Sequence, residues 1–128
     1  MNIQDYLYSE FDSSIVEEFL MMLDVMEDML DLTIERLYSD YKEAVNDLFR
    51  MFHNLKSAAG FLKIKRIQNY AHFVEDILQK ARENDKADEE FIDWMFKVAD
   101  QFHEWYGNID RNEELAHIHP EILKIPNI

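Results

Sequence analysis

The sequence predicts an all-α protein, an antiparallel up-down-up-down four-helix bundle with a short N-terminal segment and a C-terminal tail. Three observations carry that expectation. The 128 residues include only two glycines, Gly60 and Gly107, and two prolines, Pro120 and Pro126, so few positions break a helix. Apolar residues recur at steps of three and four in four successive stretches, the period of an amphipathic helix. The connections between the stretches are short, which sets neighbouring helices side by side and opposed.

The first helix is expected to open near Ser14, where Ser14-x-x-Glu17 has the form of a capping box. Its inward stripe is Ile15, Phe19, Met22, Leu23, Met26, Leu30 and Ile34. The methionines Met21, Met22, Met26 and Met29 read as core filler. A second capping box, Asp40-x-x-Glu43, opens a helix whose stripe is Val45, Leu48, Phe52, Leu55, Ala59 and Leu62. The third helix runs from about Lys65 to Asn84 and turns Ile67, Ala71, Val74, Leu78 and Ala81 inward. The fourth opens with Asp88, Glu89 and Glu90, acids that suit a helix N-terminus. It buries Phe91, Trp94 or Met95, Val98, Phe102 and Trp105, and is expected to stop at Gly107-Asn108. The domain is thus residues 1–110, and residues 111–128 are a docking tail or the start of a linker.

Composition excludes several classes of function. A net charge of −14 argues against a nucleic-acid partner, which demands clustered lysine and arginine, and it disfavours anionic membranes. No apolar run approaches the roughly 20 residues of a membrane span. The start of the chain lacks the basic region and cleavage site of a signal peptide. There are no cysteines, hence no disulfides and no thiolate chemistry, which fits a cytoplasmic location.

The chemistry gathers on the second and third helices. At about 100° per residue, His53 falls roughly 130° from the apolar stripe and Lys56 roughly 70°, on one flank. His53, Lys56, Ser57 and Gly60 share that side through i, i+3, i+4 and i+7 spacing. Gly60 removes bulk there and leaves room for another molecule to approach. On the third helix His72 and Glu75 lie on the matching flank. If the connection centres on Ile64, His53 stands opposite Glu75 and Lys56 opposite His72. A neutral imidazole attacks through one nitrogen only if its proton is held on the other. Glu75 is placed to take that hydrogen bond from Nδ1, leaving Nε2 free. Lys56 can meet phosphoryl oxygens, and His72 would hold Glu75 or bridge the network.

The segment from Phe49 to Leu62, with His53-x2-Lys56 followed by small residues, resembles the signature of histidine phosphotransfer (HPt) domains. The wider spacing His53-x2-Lys56-x15-His72-x2-Glu75 is similar to the N-terminal phosphoacceptor domain of chemotaxis-type histidine kinases. The resemblance spans about residues 10–107. It implies that His53 is the phosphorylated residue, Glu75 its activator, and Lys56 and His72 supports in a hydrogen-bonded quartet. It implies two partners, the ATP-binding domain of a histidine kinase and the receiver domain of a response regulator. No cofactor or metal is implied in this chain, since a receiver supplies its own Mg²⁺, and no ATP-binding kinase domain is present in the 128 residues. Two positions depart from the pattern. Ser57 replaces a glycine that usually follows the lysine, and Lys63 stands where another glycine is common. With Phe49, Gly60 and Phe61, these form the expected docking surface.

Two rival readings fit the sequence less well. A ferritin-like metal bundle wants Glu-x-x-His on two helices and further inward glutamates. Here the only such motif is Glu114-Leu-Ala-His117, in the tail. A purely structural bundle leaves the His53, Lys56, His72 and Glu75 register unexplained.

Overall fold

The computed structural model describes all 128 residues and is entirely helical. Five α-helices follow one another: α1 (Ile3–Glu10), α2 (Ser13–Glu35), α3 (Tyr41–Phe61), α4 (Lys65–Ala81) and α5 (Glu89–Asp110), with a 3₁₀ turn at Pro120–Leu123. None is long and apolar enough to cross a membrane. The four long helices are the four expected stripes. Every inward residue named for the second, third and fourth stripes is buried, Trp94 and Met95 both included. They join one core cluster of 35 residues.

Several local expectations fail, each for an identifiable reason. α2 begins at Ser13 with Asp12 as its N-cap, so Ser14 lies inside the helix and its capping box does not form. Asp40 does occupy the N-cap of α3, but its side chain makes no capping hydrogen bond. Arg36 draws both acids of that expected box outward, lying 3.8 Å from Asp40 and 3.8 Å from Glu43, and it donates a 2.9 Å hydrogen bond to Asp47. α5 continues past Gly107 to Asp110. Its stop is Asn112, which takes the left-handed conformation (φ 51°) that glycine had been expected to supply. Met21 and Met29 are exposed rather than core filler, because α2 presents that edge to solvent.

α1 falls in the short N-terminal segment that precedes the first stripe. With two buried residues, Ile3 and Leu7, α1 is too short for a stripe to be visible in sequence. It is fixed by contacts distant in the chain: Gln4 Nε2 donates to Ile109 O (2.7 Å), and Tyr6 Oη donates to Leu62 O (2.8 Å) at the end of α3. Residues 111–128 also lie against the bundle. Trp105 Nε1 donates to Ala116 O and Trp94 Nε1 to Ile122 O, both at 2.8 Å, and Ile122 is fully buried.

The turn between α3 and α4 sets the register of the helices that carry His53 and Glu75. Lys63 N donates to Gly60 O and Ile64 N to Ala59 O, the paired bonds of a Schellman motif. Lys63 holds the left-handed position with φ 58°. This is the site where the resemblance anticipated glycine, and a lysine there is strained. Beyond the turn α4 runs back along α3. Gly60 faces Gln68, His53 meets Glu75, and Tyr41 Oη donates to Ala81 O at 2.7 Å.

Lys63→Gly is therefore expected to stabilise the fold by about 1 kcal/mol, the strain relieved less the entropy that glycine loses on folding, as measured by urea unfolding. Ile122→Ala should cost about 2–4 kcal/mol in the same measurement, if the last residues are part of the packed structure.

Candidate functional site

His53 projects from the middle of α3 with its side chain half exposed, while its Nδ1 lies 2.6 Å from Glu75 Oε2. The second oxygen, Oε1, accepts a 2.6 Å hydrogen bond from Lys56 Nζ. Glu75 itself is buried, at 7% exposure, a depth that its flank position did not announce. Burial pushes its carboxyl group up. The hydrogen bonds from Lys56 and His53, together with their charges, outweigh that effect and hold it below the usual carboxylate range. An ionised carboxylate only accepts, so Nδ1 carries the proton of this bond. A neutral ring then presents its lone pair at Nε2, which makes no hydrogen bond within the chain.

The surroundings fix the ring further. Phe49, one turn before His53, stacks on it with centroids 6.1 Å apart and planes 12° from parallel. Arg82, at the end of α4, sits 4.5 Å from the Phe49 centroid and donates to Asn46 Oδ1 at 3.0 Å. Neither contact is legible in the apolar periodicity of the helices. Arg82 lies outside the third stripe, and nothing in its local sequence points toward Phe49.

The expected quartet is only partly assembled. His53, Lys56 and Glu75 are hydrogen-bonded together, but His72 is not joined to them. It is exposed, and its Nε2 lies 3.6 Å from Asp76 Oδ2. Lys56 meets Glu75 instead of the predicted His72 because side chains lean toward the N-terminus of their own helix. On α3 that carries Lys56 away from the turn, while on α4 it carries Glu75 toward the turn, so the two converge. Both Glu75 oxygens are thereby occupied. His72, Glu75 and Asp76 bring ligand-type atoms within 4.8 Å of one another, yet the Lys56 ammonium on Glu75 opposes a cation there. Glu114 and His117, the one Glu-x-x-His pair, are exposed and do not face the bundle interior.

The residues assigned to docking divide. Phe61 is 62% exposed and lines a groove of about 520 Å³ with Ile15, Phe19, Met22 and Ala58. Ser57 is exposed beside Lys56, and Lys63 is exposed at the turn. Gly60 differs from expectation. The space over it is taken by Gln68, whose Nε2 lies 2.9 Å from where a Cβ would stand, because α3 and α4 converge on their tight connection.

The chain is 28% identical over 115 residues to the chemotaxis protein CheA of Salmonella typhimurium, covering 89% of this chain and 16% of that protein. It is 27% identical over 89 residues to the sensor histidine kinase CheAY of Helicobacter pylori, covering 67% of this chain and 11% of that one. The chain thus spans less than a fifth of the length of either relative. No solved structure matches it. The family model of the Hpt domain matches residues 15–117, a span that holds α3, α4 and the hydrogen-bonded His53, Lys56 and Glu75. The chain belongs to the Hpt domain family, whose members are phosphocarrier modules in phosphotransfer signalling.

Proposed function

We propose that His53 accepts a phosphoryl group from the ATP-binding domain of a histidine kinase, or from a receiver, and passes it to an aspartate of a response-regulator receiver domain. The observation that carries this reading is the 2.6 Å contact between His53 Nδ1 and the buried Glu75 carboxylate, on a ring otherwise open to solvent. In the forward step Nε2 of the neutral ring attacks phosphorus. A P–N bond forms, the P–O bond to the donor breaks, and the leaving oxygen keeps the electron pair. The ring becomes positively charged, and Glu75, as acceptor from Nδ1, stabilises that charge. Lys56, held within reach by Glu75, can turn its ammonium toward the phosphoryl oxygens. His72 stands outside this hydrogen-bonded group, beside Asp76 at 3.6 Å. No catalysis is assigned to the chain itself; it is a carrier that works in the cytoplasm with a separate ATP site.

The bundle is antiparallel, up-down-up-down over α2 to α5. Support comes from contacts whose residue numbers run in opposite directions: Arg36 with Asp47 and Met22 beside Ala58 for α2 and α3, Tyr70 with Val98 and Phe73 with Trp94 for α4 and α5. The phosphocarrier unit is residues 1–110, and residues 111–128 lead from it as a packed tail. Phe49, Ser57, Phe61 and Lys63 are the docking residues, without Gly60, whose face Gln68 covers. Phe61 and its groove supply the apolar contact, Ser57 keeps the approach to His53 low, and Lys63 sets partner preference.

Incubation with a histidine kinase and ATP is expected to give an acid-labile, alkali-stable phosphate that is absent in His53→Gln; labelling that persists in the variant would sink the assignment. Glu75→Ala should slow phosphorylation on the order of 10²-fold while circular dichroism stays unchanged, and an equal rate would remove Glu75 from the chemistry. Phe61→Ala should raise the receiver concentration needed for half-maximal dephosphorylation without changing the rate at saturation. Lys63→Gly should alter relative rates across a panel of receivers.

A further inference from the structure

A second histidine is held between carboxylates on the opposite seam of the molecule, where α2 meets α5. His103 Nδ1 lies 2.7 Å from Glu27 Oε2, and its Nε2 lies 2.9 Å from Asp31 Oδ1. Glu27 and Asp31 are four residues apart on α2, so they sit one above the other on the same face, a spacing at which like charges repel. Neither has a lysine or arginine partner. Indeed α2 carries seven acidic residues and no lysine or arginine. One turn along, Asp24 accepts a hydrogen bond from Tyr106 Oη, so the α5 side of the seam answers three α2 carboxylates with one imidazole and one phenol. On α5 itself, Glu104 is turned away toward His119, at 2.9 Å, and Asp100 precedes His103 by one turn.

An ionised carboxylate cannot donate, so hydrogen bonds at both ring nitrogens require both to carry protons. A neutral ring would set a lone pair against one of the two carboxylates. We propose that protonated His103 is a pH-dependent clamp that fastens α2 to α5, and that loss of its proton loosens α2 from the bundle.

The electrostatics agree in sign. Partial burial acts to lower the affinity of His103 for its proton, but the hydrogen bonds from the ring to Glu27 and Asp31, and their charges, outweigh it and raise the group above its ordinary value of 6.5. A group raised on folding contributes stability that is fully present below 6.5 and is lost as pH climbs through the folded value. The clamp therefore holds below the folded value, which lies above 6.5, and releases as pH rises through it. Tyr106 does not replace it, because its bond to Asp24 pushes the phenol up to about 12 and keeps it uncharged across that range. The release has a structural address. α2 supplies Ile15, Phe19 and Met22 to the groove beside Phe61, on the face that α2 turns to α3.

The test uses the whole chain and needs no partner. Nitrogen-15 NMR titration of the ring should find both His103 nitrogens protonated at pH 6 and a titration above 6.5, shifted downward in Asp31→Asn. Amide exchange, corrected for its intrinsic pH dependence, should show α2 losing protection as pH rises in the parent. In His103→Gln protection should be lower from the outset and flat with pH. A singly protonated ring at pH 6 would overturn the clamp, as would α2 protection with the same pH profile in parent and variant.

Discussion

The buried carboxylate of Glu75 is the constraint on which the rest of this structure turns. Taking an ionised group out of water costs several kcal/mol unless hydrogen bonds and an opposite charge replace the lost solvent. Both replacements come from α3, one oxygen to His53 and the other to Lys56, so Glu75 is stable only if α3 and α4 hold one register. A shift of a single residue would turn the carboxylate about 100° away from both donors. The same bond that makes the burial tolerable is the one that sets the tautomer of His53. Packing and chemistry thus rest on one pair of contacts, and the ring remains open to solvent on its other edge.

Register on that scale needs rigid ends, and the molecule provides them by tertiary means. The Schellman turn at Lys63 closes α3, and Tyr6 of α1 caps the last carbonyl from outside. At the far end Tyr41 ties the start of α3 to the last turn of α4. Tyr70 bonds a carbonyl of α5 from inside the core, so α4 is held from both sides. No buried side-chain nitrogen or oxygen is left without a partner. The polar groups inside this core therefore specify geometry without carrying an unmet desolvation cost.

Charge is distributed unevenly around these helices. The face around His53 carries cations, with Lys56 on Glu75 and Arg82 over Phe49. The α2–α5 seam is acidic and relies on His103. An excess of acid overall keeps the surface hydrated, while a positive group stays beside the ring proposed to accept a phosphoryl group. α2 thus contributes both to the acidic seam and to one wall of the groove beside Phe61.

The stripes of Leu48, Phe52 and Leu55, of Ala71, Val74 and Leu78, and of Val98, Phe102 and Trp105 are legible in the sequence because an amphipathic helix writes its buried face into the chain every three to four residues. The same periodicity places His53 and Glu75 on facing flanks, and their contact follows from counting residues about Ile64. What the sequence withholds is whatever depends on side-chain reach and on distant partners. Lys56 takes Glu75 and leaves His72 to Asp76 because side chains lean along their helices, a displacement that residue counting ignores. Glu75 is buried because α3 supplies its ligands, α1 is a helix because Ile109 and Leu62 receive its side chains, and residues 111–128 lie on α5 because two indole N–H groups need acceptors. The clamp at His103 lies between these cases. Its residues could have been found by counting across the first and fourth stripes, but both its bonds depend on the separation of α2 and α5. Local period is a property of the chain; contact between elements far apart in sequence is decided only when the whole core closes.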